Sequence, residues 1–177
     1  IFVDYFRPLD DALKFSFEPS LFWFDRPLYV YDSRGDAVAE LEINEWGGTL
    51  AFGREFRRDA KLSAGYVRYT GDMDIAVGNP DIRPFSYDGA ELFAELKYDR
   101  LDDRYLPTRG VYSTLRYMDS VEGLGADSSF DQLEFAIFGS HTFGFHNLIW
   151  GAQYNTSLDD DVPIYGLYAG GGFFNMS

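Results

Sequence analysis

Few residues in this sequence could do covalent chemistry. The chain of 177 residues has no cysteine and only two histidines, His141 and His146. This composition excludes disulfides and thiolate sites and supplies little for a zinc centre or a catalytic triad. A strained serine elbow needs the motif Gly-x-Ser-x-Gly, which does not occur. Ser140 beside His141 is a poor substitute, because neighbouring residues of a strand point to opposite faces.

Two further motifs could bind small ligands. Asp159-Asp160-Asp161 offers the oxygen ligands that Ca²⁺ prefers, but a solvated loop is the favoured interpretation of such a run. Gly170, Gly171 and Gly172 resemble a phosphate-binding loop but lack the following Lys-Ser/Thr and a helix. Close backbone packing explains these glycines better. We therefore predict no catalytic residue, cofactor or metal in this segment.

Composition narrows the class of protein. The formal net charge is -14, which argues against a nucleic-acid partner, since such partners need a basic face. Aromatic residues make up 19% of the chain, and no run reaches the ~20 apolar residues of a membrane-spanning helix. If the chain enters a membrane, it must do so as a closed barrel, because lipid satisfies no backbone hydrogen bonds.

Hydrophobicity alternates with a period of two, which indicates β-strands with one apolar and one charged face. Segment 91–99 shows the pattern best, and segments 13–18, 37–44, 132–139 and 148–155 repeat it. We predict that the apolar side chains face lipid. The charged side chains predicted to line a watery interior are Lys14, Glu18, Glu40, Glu42, Glu91, Glu95, Lys97 and Glu134.

Turn signals between these runs predict an all-β fold, an antiparallel transmembrane β-barrel. Asn44-Glu45-Trp46-Gly47-Gly48 is interpreted as one such turn. The predicted strands, about nine in number, are 1–7, 13–32, 36–44, 48–57, 61–71, 86–99, 110–119, 128–142 and 147–157. Alternation alone would suit a soluble β-sandwich equally well. Several strands nevertheless approach the ~10 residues of a tilted membrane crossing, which favours the barrel.

Two motifs resemble a known family. Asp99, Asp102, Pro107 and Gly110 form a pattern similar to the "D-x-x-D…P-T-x-G" turn of the bacterial surface antigen superfamily. That superfamily comprises the outer-membrane barrels of insertases, two-partner secretion transporters and their relatives. The second motif resembles the family segment that opens a long outer loop folded into the barrel lumen, and its residues here are Pro163, Tyr165, Gly170, Gly171 and Gly172.

The resemblance implies an outer-membrane location, with membrane lipid and an attached or translocated polypeptide as partners. It implies barrel strands over 1–157, the start of the inserted loop over 158–177, and a sixteen-stranded barrel whose third strand contains residue 1. In that family an Arg-Gly pair usually follows the glycines of the inserted loop. Here residues 173–177 stand in its place, and they resemble the corresponding segment in the barrel of patatin-like phospholipases of type V secretion. An insertase, a passive porin and a soluble β-sandwich binding module are the alternatives, and a homo-oligomer is left open.

Overall fold

The computed structural model describes residues 1–31, 37–56, 58–78 and 83–166, which form one antiparallel sheet of nine strands. The strand order is β1-β3-β4-β5-β6-β7-β8-β9, and β2 pairs with β3 beside β1. Almost every strand therefore pairs with its neighbour in sequence, as in a meander of hairpins. The predicted all-β, antiparallel class is confirmed.

The strands are long. They are β1 (Phe2–Asp4), β2 (Arg7–Pro8), β3 (Phe15–Tyr31), β4 (Ala37–Phe56), β5 (Ala60–Gly78), β6 (Phe85–Asp99), β7 (Arg109–Ser120), β8 (Phe130–Phe143) and β9 (His146–Ser157). Short 3₁₀ turns occupy Glu122–Leu124 and Ile164–Gly166. In the part of the chain described, no helix is long and apolar enough to cross a membrane.

The predicted turn at 44–48 is wrong, because β4 runs through it without a break. Gly47 pairs with Phe22 on one side and Tyr69 on the other. A Cβ on Gly47 would come within 2.8 Å of the Phe22 ring and 2.7 Å of the Tyr69 Cβ. The nearest atom would be the Arg68 carbonyl oxygen, so the glycine is required by the close approach of the β5 backbone and of the Phe22 ring, whereas the sequence suggested the conformational freedom of a turn.

The strand count agrees with the prediction only because two differences cancel. The predicted strands 36–44 and 48–57 are one strand, β4, while the predicted strand 1–7 is observed as the two short pieces β1 and β2. If β9 is the eleventh strand, as the resemblance implies, counting back through the hairpins places β1 and β2 together in the fourth strand. The predicted third strand is corrected accordingly.

The sheet has two faces of different chemistry. We call the face that carries Tyr69 and Glu91 the inner face, and the opposite face the outer face. The outer face bears an apolar band whose side chains are exposed, apart from the half-buried Phe17: Phe15, Phe17, Leu21, Trp23, Trp46, Leu50, Phe52, Leu62, Leu92, Leu96, Leu115, Phe135, Leu148, Trp150 and Tyr154. So large an exposed apolar surface suits contact with lipid and not with water.

Beyond one end of this band the apolar side chains lie on the inner face instead of the outer face. We call this end the upper end, and the opposite end, where the 100–108 turn lies, the lower end. Here Leu41, Ile43 and Met73 are buried on the inner face, together with Tyr87. Glu42 lies on the outer face and is exposed. Strands β3, β4 and β5 have 17, 20 and 19 residues, so they extend past the ~10 residues that a membrane crossing needs.

The predicted inward orientation of Glu40 and Glu42 is therefore corrected. Alternation along β4 places both on the outer face, where they pair with Tyr29 and Pro27 of β3. The sequence alternates correctly in this region, but its apolar residues cover an internal cluster instead of meeting hydrocarbon. Hydrophobic alternation with a period of two separates the two faces of a strand, but it does not show which face contacts water.

Two adjacent residues of β4 test this reversal. Leu41→Ala should destabilise the upper end by about 3 kcal/mol, because it removes a fully buried side chain from the cluster. Glu42→Ala is the matched control and should change stability by less than about 0.5 kcal/mol. Native-state hydrogen exchange of the upper halves of β4 and β5 would measure both effects. Equal effects of the two variants would contradict the assignment of faces.

Candidate functional site: the inner face and its docked loop

A loop packs against the inner face after the last strand. The ring of Tyr165 stacks on that of Tyr87, with centroids 4.3 Å apart and planes 4° from parallel. Phe130 meets Tyr165 edge-on at 6.5 Å between centroids. The side-chain amide of Gln132 donates a hydrogen bond to the carbonyl of Gly166. Aromatic stacking and a hydrogen bond thus hold the segment after β9 against the inner face.

The platform for this loop is built from neighbouring strands. Tyr87 lies over Gly71 of β5, where an added Cβ would overlap the tyrosine ring. Its hydroxyl donates a 2.7 Å hydrogen bond to Glu45 of β4, so the side chain reaches across two strands. Tyr69 donates a similar bond, also 2.7 Å, to Glu91 of β6. These bonds fix the rings in place and tie β4, β5 and β6 together.

Charged groups line the inner face below the platform. Glu91, Glu95, Lys97 and Glu134 all lie on this face. Lys97 pairs with Glu95 at 2.7 Å. Arg116 stands in register between Glu95 and Glu134, with its guanidinium 4.6 Å from the centre of the Phe93 ring. That these groups hydrate a lumen stays a prediction.

Sequence reasoning did not select several residues of this surface. Tyr69, Tyr87 and Arg116 belong to no recognisable motif. Lys61, also not selected, pairs across two strands with the predicted interior charge Glu18, 43 positions away in sequence. Only the register of the strands brings such residues together, so a single sequence offers little signal for them.

The motif from Asp99 to Gly110 forms the lower turn between β6 and β7. The carboxylate of Asp102 accepts hydrogen bonds from the backbone of Asp103 (3.0 Å), Thr108 (2.9 Å) and Arg109 (3.0 Å), and from the Thr108 hydroxyl. Gly110 has a φ of +115° and lies against the Arg100 carbonyl, where a Cβ would not fit. The motif residues therefore shape the turn itself.

The same turn is fastened to the next hairpin. The carbonyl of Pro107 accepts hydrogen bonds from Ser140 Oγ (2.7 Å) and Asn147 Nδ2 (2.9 Å), and the Thr108 carbonyl accepts one from Thr142 Oγ1 (3.0 Å). Ser140 is thus occupied in holding two turns together. The arrangement fixes the spacing of the lower ends of β7, β8 and β9.

The structure separates the two predicted motifs. Asp99, Asp102, Pro107 and Gly110 lie together at the lower end, while Tyr165 lies on the inner face at the upper end, with Pro163 in the same loop. Gly170, Gly171 and Gly172 lie outside the described residues. Of the predicted aspartate run, Asp159 accepts a 2.7 Å hydrogen bond from the backbone of Asp131, so it closes the loop onto β8.

Comparison with known proteins gives a family match and a structural match. The Omp85 superfamily domain matches residues 2–176. The crystal structure of BamA from Haemophilus ducreyi lacking POTRA domains 1–3 is similar to the chain, with a TM-score of 0.73 at 17% sequence identity. The match covers 98% of this chain and 36% of that one, so the chain spans about a third of its length. No curated protein sequence matches.

Asp102→Asn should loosen the lower turn, because an amide is a weaker acceptor than a carboxylate for three backbone N–H groups. We expect hydrogen exchange at Thr108 and Arg109 to become faster by about tenfold. Asp161→Asn, in the loop after β9, is a control that should leave these amides unchanged. Unaltered exchange in Asp102→Asn would contradict the anchoring role.

The same turn should respond to acid. Hydrogen bonds from Thr108 and from the backbone lower the pKa of Asp102 to about 2 from an ordinary 3.8. Because the folded pKa is the lower one, the carboxylate stabilises the turn above pH 3.8, and this stabilisation disappears as the pH falls towards 2. Carboxyl carbon chemical shifts, followed by NMR between pH 5 and pH 1.5, should titrate near 2 for Asp102. Titration near 4 would be the contrary result.

Proposed function

The chain belongs to the Omp85 superfamily and is therefore part of an outer-membrane β-barrel protein, and from this premise we propose that its inner face contacts a polypeptide that the barrel anchors, inserts or translocates. The observation that supports the proposal most directly is the docking of Tyr165 and Gly166 on that face. A peptide segment already lies where the proposed polypeptide would pass. We further propose that 158–177 begins a loop inside the barrel.

The chemistry of the inner face suits a peptide partner. It combines ion pairs such as Lys97–Glu95 with aromatic rings such as Tyr87, on which Tyr165 of the chain's own loop is stacked. A mixed surface of this kind can bind and release a chain of varied sequence, because no single residue type provides all the contacts. The proposal assigns no bond chemistry to these strands.

Two finer forms of the proposal differ in the polypeptide. In one form it is a client that the barrel inserts into the membrane. In the other it is an attached patatin-like phospholipase, for which the support is the similarity of the sequence motifs, including residues 173–177 outside the described part. Neither comparison supports the phospholipase form. A Gly-x-Ser-x-Gly elbow encoded upstream would favour it, whereas periplasmic repeat domains upstream would favour the insertase.

Photo-crosslinking tests the proposal with two adjacent residues of β7. Thr114 lies on the inner face and Leu115 on the outer face. A photoreactive amino acid at 114 in the full-length protein should yield polypeptide adducts in cells, and at 115 it should yield mainly lipid adducts. Mass spectrometry of the adducts at 114 would identify a client or an attached domain. Polypeptide adducts at 115 alone would refute the proposal.

The passive porin makes a different prediction for conductance. If the loop occupies the inner face, the full-length protein in a planar bilayer should conduct weakly and intermittently. Tyr165→Ala removes the stack on Tyr87 and should lengthen the open time about fivefold, since an aromatic pair contributes about 1 kcal/mol. Tyr154→Ala, on the outer face of β9, is the control. A steady conductance that Tyr165→Ala does not change would favour the porin.

A further inference from the structure

A groove lies on the outer face at the upper edge of the apolar band. Its volume is about 810 Å³, and its floor is the backbone of β4 at Gly48. Trp46 and Leu50 of the same strand, Leu21 of β3 and Tyr66 of β5 form its walls. Leu21 is 66% exposed and Leu50 51%, so these walls are open to whatever surrounds the protein.

The groove exists because one side chain is missing from the outer face. Gly48 stands in register between Leu21 and Arg68, at a position where its neighbours all carry large side chains. A Cβ at this position would lie 3.1 Å from Leu21 Cδ2 and 3.1 Å from the Ser20 carbonyl. A larger side chain would therefore fill the groove and press on its wall.

The groove changes from apolar to charged along its length. Arg68 and Asp88 form the upper rim, where their side chains are 3.4 Å apart and 41% and 44% exposed. The lower walls, on either side of the Gly48 floor, are the hydrocarbon of Leu21 and Leu50. One end thus offers charges and hydrogen bonds, and the remainder offers only apolar contact.

The Arg68 and Asp88 side chains of the upper rim are held in place by a loop. The Arg68 guanidinium donates hydrogen bonds to the carbonyls of Gly89 (3.0 Å) and Gly125 (2.6 Å). The Tyr66 hydroxyl donates one to Leu124 (3.2 Å). Asp127 and Asp88 exchange backbone and carboxylate bonds of 2.9 and 2.8 Å. The loop between β7 and β8 therefore preforms the upper half of the groove.

We propose that the groove binds one acyl chain of a membrane lipid, with polar headgroup atoms beside Arg68. The outer face of an outer-membrane barrel meets lipid, so lipid is the molecule present at high concentration. Water would find too few partners along the apolar walls. An acyl chain fills the long apolar part, and the headgroup reaches the charged rim, so the gradient of the groove matches that of a lipid.

Tryptophan quenching tests the proposal in the full-length protein, delipidated in detergent. Of the three tryptophans in these 177 residues, Trp46 lines the groove and Trp150 lies on the outer face of β9. Two proteins would each retain one of them, with every other tryptophan replaced by Phe. Titration with a phospholipid brominated on its acyl chains should quench Trp46 saturably at about one lipid per protein. Trp150 should be quenched only gradually, as bulk lipid accumulates.

Matched variants locate the site. Leu50→Ala should weaken the saturable quenching of Trp46 about tenfold, because it removes half of one wall. Leu92→Ala, in the same cross-strand row of the outer face but outside the groove, should have no effect. Gly48→Leu should abolish saturation by filling the floor. Identical curves for Trp46 and Trp150, or equal effects of Leu50→Ala and Leu92→Ala, would overturn the proposal even if Gly48→Leu fails to fold.

Discussion

The continuous ladder of backbone hydrogen bonds is the constraint on which the rest of this structure depends. Within hydrocarbon every N–H and C=O must be paired inside the protein, so strands cannot stop where local sequence would allow a turn. Gly47 and Gly48 of β4 illustrate this, because their sequence favours a turn but pairing with β3 and β5 keeps the strand extended there. The uninterrupted register then decides which side chains share a face.

A fixed register allows one sheet to serve two environments. In the lower part of β4, Leu50 and Phe52 point outward and remain exposed. In its upper part the outward residue is Glu42, and Leu41 is buried inside. The strands thus leave the hydrocarbon without ending and build a small apolar cluster above it. That cluster gives the loop after β9 a surface on which to dock, which a purely polar interior would not provide.

Rigidity is distributed unevenly between the two ends. At the lower end, Asp102 and the Pro107 carbonyl concentrate hydrogen bonds in one turn and connect three strands. At the upper end, the loop is held by the stack of Tyr165 on Tyr87 and the bond from Gln132. The lower turn is therefore held by several hydrogen bonds from two hairpins, whereas the loop at the upper end is held mainly by aromatic contact and one hydrogen bond.

The sequence by itself determined the fold class, most strands and the two motifs, because a period of two and a run of turn residues are local properties. It also identified the lower turn, since Asp102, Pro107 and Gly110 act within a dozen residues of one another. It could not determine the merger of two strands into β4, the outward position of Glu42, or the platform of Tyr69 and Tyr87. These depend on cross-strand register and on where hydrocarbon ends, and only the assembled sheet decides either one.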